Sequence, residues 1–497
     1  MNNFLHGLTE YSNIKLTENG SKAYKSTNSA LYDCFAFGGA YRKRSDEDCI
    51  LLFKNAYEEN PEYALKCLFY LRDCRGGAGE RRFWRVCARW LACEHPEAAI
   101  RNIKYVPLVG RWDDLYTFFD TPAEDAALKL IRSQLELDVQ CTTPSLCAKW
   151  LASENASSKE TRAIASHIRK YLKLTHREYR KLLSALRTRI NIVEKLMSEN
   201  RWNEIVFDKI PSKAGLVYRN AFARHDITKA YEKFMIDKNT KVNSDVLNPV
   251  DIADKVFSMW NPSEIERLTL NKYWENLKDY YNGRQENGIA VVDVSGSMTG
   301  QPMNAAVSMG AYIAERGKGP FANHFITFSG NPQLVKFEGV DIYDKFHRAR
   351  NADWGMNTNI EATFNLLLNT AIKNNCTQEE IPSVIYIFSD MEFDACATIG
   401  EPVLNRYGYD NSQRINSTKV NTFFEVLKDK WSACGYKLPH VIFWNLDARH
   451  NTIPAIGDGF SFVSGFSMDM IEQILSGEDG YSLMMKKLNT DRYKNIY

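Results

Sequence analysis

No Cys-x-x-Cys pair occurs in the 497 residues, although there are eleven cysteines. That removes the strongest zinc signature. The count is odd, and most cysteines sit in apolar helical patterns, as Cys67, Cys87 and Cys93 do. Free thiols in a reducing compartment are expected rather than a disulfide framework. No apolar run approaches the roughly 18 residues that a membrane-spanning helix needs. The opening Met1-Asn-Asn-Phe-Leu-His6 lacks the basic-then-apolar order of a secretory signal. A cytoplasmic protein with no membrane partner is the expectation. Catalytic signatures are missing too. There is no Gly-x-x-x-x-Gly-Lys-Ser/Thr phosphate loop, no His-Glu-x-x-His and no Gly-x-Ser-x-Gly elbow. His324 and His440, each leading a strand, read as structural. A binding protein rather than an enzyme is expected.

Net charge is also small, +2, but it is unevenly spread. Residues 1–286 carry +7 and the remainder −5. A basic first part and an acidic second part suggest that any polyanion is held by the first, so that residues 1–286 alone would hold it. The periodicity changes at the same place. Residues 1–30 are polar and rich in Asn, Ser and Thr, and read as an arm. From about 30 to 235, apolar residues recur three and four positions apart, as in Asp48 to Tyr57, Glu62 to Arg72, Gly79 to Cys93 and Ala126 to Leu137. Successive helices with brief loops suggest a stacked helical-repeat array, HEAT-like in spirit, without a strict sequence period. After a polar hinge at 282–287, strands and helices alternate. Strands are expected near Ala290–Asp293, His324–Phe328, Leu334–Phe337, Val384–Ser389 and Val441–Leu446. Helices are expected near Met303–Glu315, Ile360–Lys373, Lys419–Cys434 and Asp469–Ser476. This alternation predicts a mostly parallel, doubly wound α/β sheet. The long loop 391–418 falls at the sheet's ligand edge, where loops tend to be functional.

Within that second part, Gly288-Ile-Ala-Val-Val-Asp-Val-Ser-Gly-Ser-Met298 runs an apolar strand into Asp293-x-Ser295-x-Ser297. One carboxylate and two hydroxyls on a tight turn at a strand's C-terminal end suit a hard divalent cation. Ile381-Pro-Ser-Val-Ile-Tyr-Ile-Phe-Ser-Asp390 is a second apolar strand ending in a carboxylate, and Trp354-Gly-Met-Asn-Thr358 lies between the two. A plain capped turn would explain Ser297 and Asp293 but not Asp390. The ordered set resembles the metal-ion-dependent adhesion site (MIDAS) of von Willebrand factor A (vWA) domains. The resemblance implies five ligands, Asp293, Ser295, Ser297, Thr358 and Asp390, holding Mg²⁺ or Mn²⁺. It also implies an open coordination position for an acidic side chain of a protein partner.

In the helical part, Arg72-Asp-Cys-Arg-Gly-Gly77 is followed by Arg81 and Arg82. A glycine turn at a helix N-terminus with Arg75, Arg81 and Arg82 nearby could hold an anion. It could equally be a helix–helix turn whose arginines pair with Asp73 and Glu80. Lys159 to Arg189 contains ten basic and two acidic residues, a local +8, with Tyr171, His176 and Tyr179 interleaved. Arg169, Lys170, Lys173, Arg177, Arg180, Lys181 and Arg187 would track phosphates, and Tyr179 would stack on a base. A solvated helix face is the bland alternative.

Arg72 to Gly77, Gly110-Arg-Trp-Asp-Asp-Leu115 and Val217-Tyr-Arg-Asn-Ala-Phe-Ala-Arg-His-Asp226 resemble segments of the Ro (TROVE-type) family and its viral and cellular relatives. A helical-repeat module followed by a vWA domain is also that family's layout. Besides the arm at 1–30 and a tail at 481–497, the resemblance implies a TROVE-like helical module at 31–286 and a Rossmann-like vWA domain at 287–480. It implies a ribonucleoprotein function: small structured or misfolded RNA held by the helices, and a metal-dependent partner on the vWA domain. A metal-dependent protein scaffold, for instance in viral assembly, with no RNA role, is the alternative.

Overall fold

The computed structural model describes residues 13–190, 192–328, 331–350, 359–393, 423–475 and 479–497. Its first part is helical. The longer helices are α1 (Ala30–Gly38), α2 (Asp46–Glu59), α3 (Pro61–Arg72), α4 (Arg82–Glu94), α5 (Glu124–Gln140), α6 (Lys159–Tyr171), α7 (His176–Ile190), α8 (Ser212–Arg224), α9 (Pro249–Phe257) and α10 (Glu264–Glu275). Local chemistry sets their starts. The side chains of Ser29, Ser45, Asn60 and Ser158 each accept a backbone N–H of the first turn of the helix that follows, and Pro61 opens α3.

The second part is a six-stranded mixed sheet with helices. Its strands follow a short N-terminal hairpin, β1 (Ile14–Leu16) and β2 (Lys22–Tyr24). They are β3 (Gly288–Asp293), β4 (His324–Phe328), β5 (Leu334–Lys336), β6 (Val384–Ser389), β7 (His440–Asn445) and β8 (Phe460–Ser464), in the spatial order β5-β4-β3-β6-β7-β8. Only β5 runs antiparallel, against β4. The helices here are α11 (Gln301–Arg316), α12 (Ile342–Arg350), α13 (Ile360–Asn374), α14 (Phe423–Ala433) and α15 (Gly480–Leu488). The chain winds outward from β3 to β5, then returns to the other side of β3 to make β6. The C-terminal ends of β3 and β6 therefore flank the point where the winding reverses, the usual ligand crevice of such sheets. Ile289 to Val292 and Ile385 to Phe388 are wholly buried, as strands covered on both faces must be.

Three expectations change. The stretch expected to be an arm contains the β1–β2 hairpin, and Tyr24 pairs with Ile453 through two backbone hydrogen bonds of 2.8 and 3.0 Å. Residues 481–497 are not a free tail. They form α15 and a turn whose Tyr493 is completely buried against α3. A sixth strand, β8, lies at the sheet edge under α1. Phe462 N–H donates to the Tyr32 hydroxyl (2.9 Å), and Gly39 N–H donates to Ser464 Oγ (3.0 Å). Apolar side chains of α1, including Leu31, Phe35 and Phe37, belong to one core with those of the sheet, each worth roughly 1.5–3 kcal/mol. The expected Thr358 ligand, and loop 391–418 beyond Phe393, lie outside the described residues.

Candidate metal centre and basic face

The candidate metal turn is built by β3. Asp293 is its last residue and is fully buried. Its Oδ1 accepts Ser295 N–H (2.9 Å), closing a local turn, and its Oδ2 accepts the Ser389 hydroxyl at the end of β6 (2.6 Å). A short 3-10 turn at Gly296–Met298 then carries Ser297, and the Ser295 and Ser297 hydroxyl oxygens stand 3.0 Å apart. Adjacent ligands of an octahedral Mg²⁺, each at roughly 2.1 Å, are separated by about this distance. Gly300, with φ of 97°, turns the chain into α11 through a conformation that side chains resist.

Asp390 follows β6 and is also fully buried. Its Oδ1 accepts Glu392 N–H (3.1 Å). The next residue, Met391, has φ of 67°, a strained conformation for a non-glycine residue and one that recurs at functional turns. Asp390 Oδ2 accepts from Arg449 Nη2 (2.8 Å), a residue that follows β7. Burial and the neighbouring charge of Asp390 push the Asp293 carboxyl up to about 7, against the pull of its bonds from Ser389 and Ser295. Two carboxylates in this crevice thus face one guanidinium, leaving a deficit of positive charge. The donor set of carboxylates and hydroxyls fits a hard divalent cation.

The structure brings together Asp293, Ser295, Ser297 and Asp390. Sequence reasoning missed Arg449, because no local pattern marks a loop arginine 59 positions from its partner.

The basic face is split by helical periodicity. Lys170 of α6, Lys173 in the turn between the helices, and Arg177, Arg180 and Lys181 of α7 are exposed, and none forms an ion pair with a described residue. Arg177, Arg180 and Lys181 line a groove of about 700 Å³, with Glu154, Arg187 and Lys195 on its other walls. Tyr179 borders this groove but offers no open ring face. It is completely buried, and its hydroxyl donates to Ala152 O (2.9 Å). Arg187 is half-buried and donates to the Ala148 and Leu151 carbonyls (2.9 and 2.8 Å). Arg169 pairs with Glu154 (2.9 Å). These three side chains are committed to packing.

The glycine turn after α3 is likewise committed. Asp73 Oδ1 accepts the Arg75 and Gly76 N–H groups (2.9 and 3.2 Å), which an anion would need. Arg492 is paired with Asp73 from the C-terminal segment. Gly77 is required because a Cβ there would lie 2.0 Å from Tyr70 O. Arg81 pairs with Asp113 and Asp114 (2.5 and 2.9 Å), and Arg82 pairs with Asp46. Asp114 also takes Arg72 (2.5 Å). Burial would raise the Asp114 carboxyl, but the Arg72 and Arg81 charges outweigh it and hold the group below its ordinary value. The partners of these arginines are mostly distant in sequence, not the Asp73 and Glu80 expected locally. Of the three arginines proposed here, Arg75 is exposed and makes no ion pair with a described residue. Among the described residues, no helix is long and apolar enough to cross a membrane.

Residues 17–121 and 133–294 match the family model described as "Domain of unknown function (DUF2828)", and residues 287–494 match "Domain of unknown function (DUF7788)". The chain is 31% identical over 514 residues to "Uncharacterized protein L728" of Acanthamoeba polyphaga mimivirus, covering 94% of this chain and 85% of that one. It is 29% identical over 85 residues to a capsid protein of Cestrum yellow leaf curling virus, 17% of either chain. The solved Ro (RSR) protein of Deinococcus radiodurans is similar with a TM-score of 0.41 and 14% identity, over 93% of this chain and 99% of that one. A likeness that faint supports no inference.

Proposed function

The chain belongs to the DUF2828 family, whose model spans more than half of it, and we propose that it is a Ro-like RNA-binding protein with a metal-bearing, vWA-type second domain. In this reading residues 31–286 are a TROVE-like, HEAT-like helical module, residues 287–480 are the vWA domain, and the role is binding rather than catalysis. The observation that carries it is the set of exposed cations on α6, α7 and the turn between them that form no ion pair with a described residue: Lys170, Lys173, Arg177, Arg180 and Lys181. An unpaired cationic face beside a groove attracts phosphates and releases their counterions. The groove would take RNA that is single-stranded or structured with open ends. Arg75 would add a flanking contact.

At the sheet edge, Asp293, Ser295 and Ser297, with Asp390 directly or through water, would hold Mg²⁺ or Mn²⁺. Thr358 completes the ligand set by motif. A bound divalent ion supplies an electrophilic anchor for an acidic side chain of a protein partner. Asp293 and Asp390 set the charge of the pocket, Ser389 orients Asp293, and Arg449 anchors Asp390.

The test is a binding titration with a hairpin RNA bearing a single-stranded tail, at several salt concentrations. Replacing Lys170, Lys173, Arg177 and Lys181 together by Ala should weaken binding and reduce the salt slope by about 3, at roughly 0.7–0.9 per lost phosphate contact. An unchanged slope would remove this face from the reading.

A further inference from the structure

A second group of metal-ligating side chains gathers beside Arg449. Glu18 stands on the turn of the β1–β2 hairpin, Glu392 follows β6, and His450 follows Arg449. One ligand atom from each lies within 4.8 Å of the other two. His450 Nδ1 is 3.7 Å from Glu18 Oε1 and 3.7 Å from Glu392 Oε1. Both separations are too long for hydrogen bonds. They are close to what one ion imposes, since two donors at roughly 2.0–2.2 Å from a tetrahedral centre stand about 3.5 Å apart.

An independent observation points the same way. Glu392 is 1% exposed, and among the described residues the donors at bonding distance to its carboxylate are neutral: the Thr452 hydroxyl on Oε1 (2.6 Å) and Glu18 N–H on Oε2 (2.8 Å). Among the described residues no lysine or arginine nitrogen comes within 4.0 Å of it, and Lys15, nearby on β1, stays beyond that distance. A carboxylate so deeply buried is ordinarily matched by a cation or a metal. The hydrogen bond from Thr452 is also the outer-shell support that orients a ligating carboxylate. Arg449 does not fill the gap. Its Nη1 pairs with Glu18 Oε2 (2.6 Å) and its Nη2 with Asp390, leaving Glu18 Oε1 turned toward His450.

We propose that Glu18, Glu392 and His450 form a second divalent-cation site, of the zinc type, that fastens the N-terminal hairpin to the ligand edge of the sheet. One imidazole and two carboxylates suit Zn²⁺ better than Mg²⁺, which favours all-oxygen sites. A water would complete the coordination. The three ligands come from segments far apart in sequence, so the ion would act as a clasp between them.

The experiment uses full-length, chelator-stripped protein carrying Asp293→Ala, which disables the first site, titrated with ZnCl₂ by calorimetry. Zinc binding is expected to persist in this background. Adding His450→Ala should weaken it by at least about 10–100-fold, the loss typical of even an outer-shell partner. His450 is half exposed, so its replacement does not threaten the fold. Glu18→Gln, of equal size, should weaken binding in the same way. With CoCl₂ as the probe, a visible absorption band expected in the Asp293→Ala protein should vanish with His450→Ala. Absence of zinc binding in the Asp293→Ala protein would overturn the proposal. So would an affinity that His450→Ala leaves unchanged.

Discussion

Asp293 sits where water does not reach it, and its carboxyl titrates near 7 because of that burial and the adjacent Asp390. A cation entering the crevice must displace a proton in mildly acidic solution. Affinity for MgCl₂ should therefore rise as pH climbs through about 7 and level off above it, and calorimetry across that range checks this. A flat profile would contradict the buried pair. The sign for stability is opposite to that of a salt-bridged aspartate. The folded chain binds the extra proton between about 4, the unfolded value, and about 7. Without a cation, stability should fall as pH rises across that window and stay level beyond it. Asp293→Asn should flatten this slope in urea unfolding midpoints. The Asp293-x-Ser295-x-Ser297 turn is legible in the sequence because all of its determinants are local: an apolar strand, then three oxygen donors in five residues. Arg449, Glu392 and His450 are not legible, since only the fold brings them beside it.

The α6–α7 pair shows the same contrast at the scale of an element. A run of positive charge marks the place, but the helical period decides which side chains are free. Tyr179, Leu183 and Leu186 recur at four and three positions and are all buried, while Arg177, Arg180 and Lys181 fall on the opposite face. That spacing is present in the sequence and would have placed Tyr179 in the core. Arg187 is harder to foresee, because its carbonyl partners at Ala148 and Leu151 belong to another segment. Tyr179→Ala should destabilise the chain by about 3–5 kcal/mol, read by chemical denaturation. The variant that remains folded should keep its RNA affinity, because the ring is not part of the groove's open surface. A selective loss of RNA binding without loss of stability would show the ring to be a contact.

For the whole molecule, the change from helices to alternating strands and helices is readable from periodicity, yet the way the two parts join is not. Hairpin strands of three residues carry too little pattern, and β8 is recognised only by the helix that covers it. The join alters one expectation drawn from charge. Residues 1–286 do not make a self-contained unit, since α1 packs on β8 and Tyr493 fills the space beside Tyr70 and Asp73. A fragment ending at 286 is expected to bind the dye ANS and to elute as aggregates in size-exclusion chromatography. A monomeric, dye-silent fragment would mean that the covered face is dispensable. Asp73→Ala should cost about 1–3 kcal/mol in the intact chain, because it leaves the buried Tyr493 hydroxyl without its carboxylate acceptor and removes the partner of Arg492.

The bond between Arg492 and Asp73 also imposes an order of events. It joins residues 419 positions apart. At roughly 5–20 residues per second, about 20–80 s of synthesis separate the two. Throughout that interval the glycine turn after α3 lacks its lock, and α1 has no sheet beneath it. The nascent helices must wait with apolar surface uncovered, a period in which chaperones have their best chance to engage the chain.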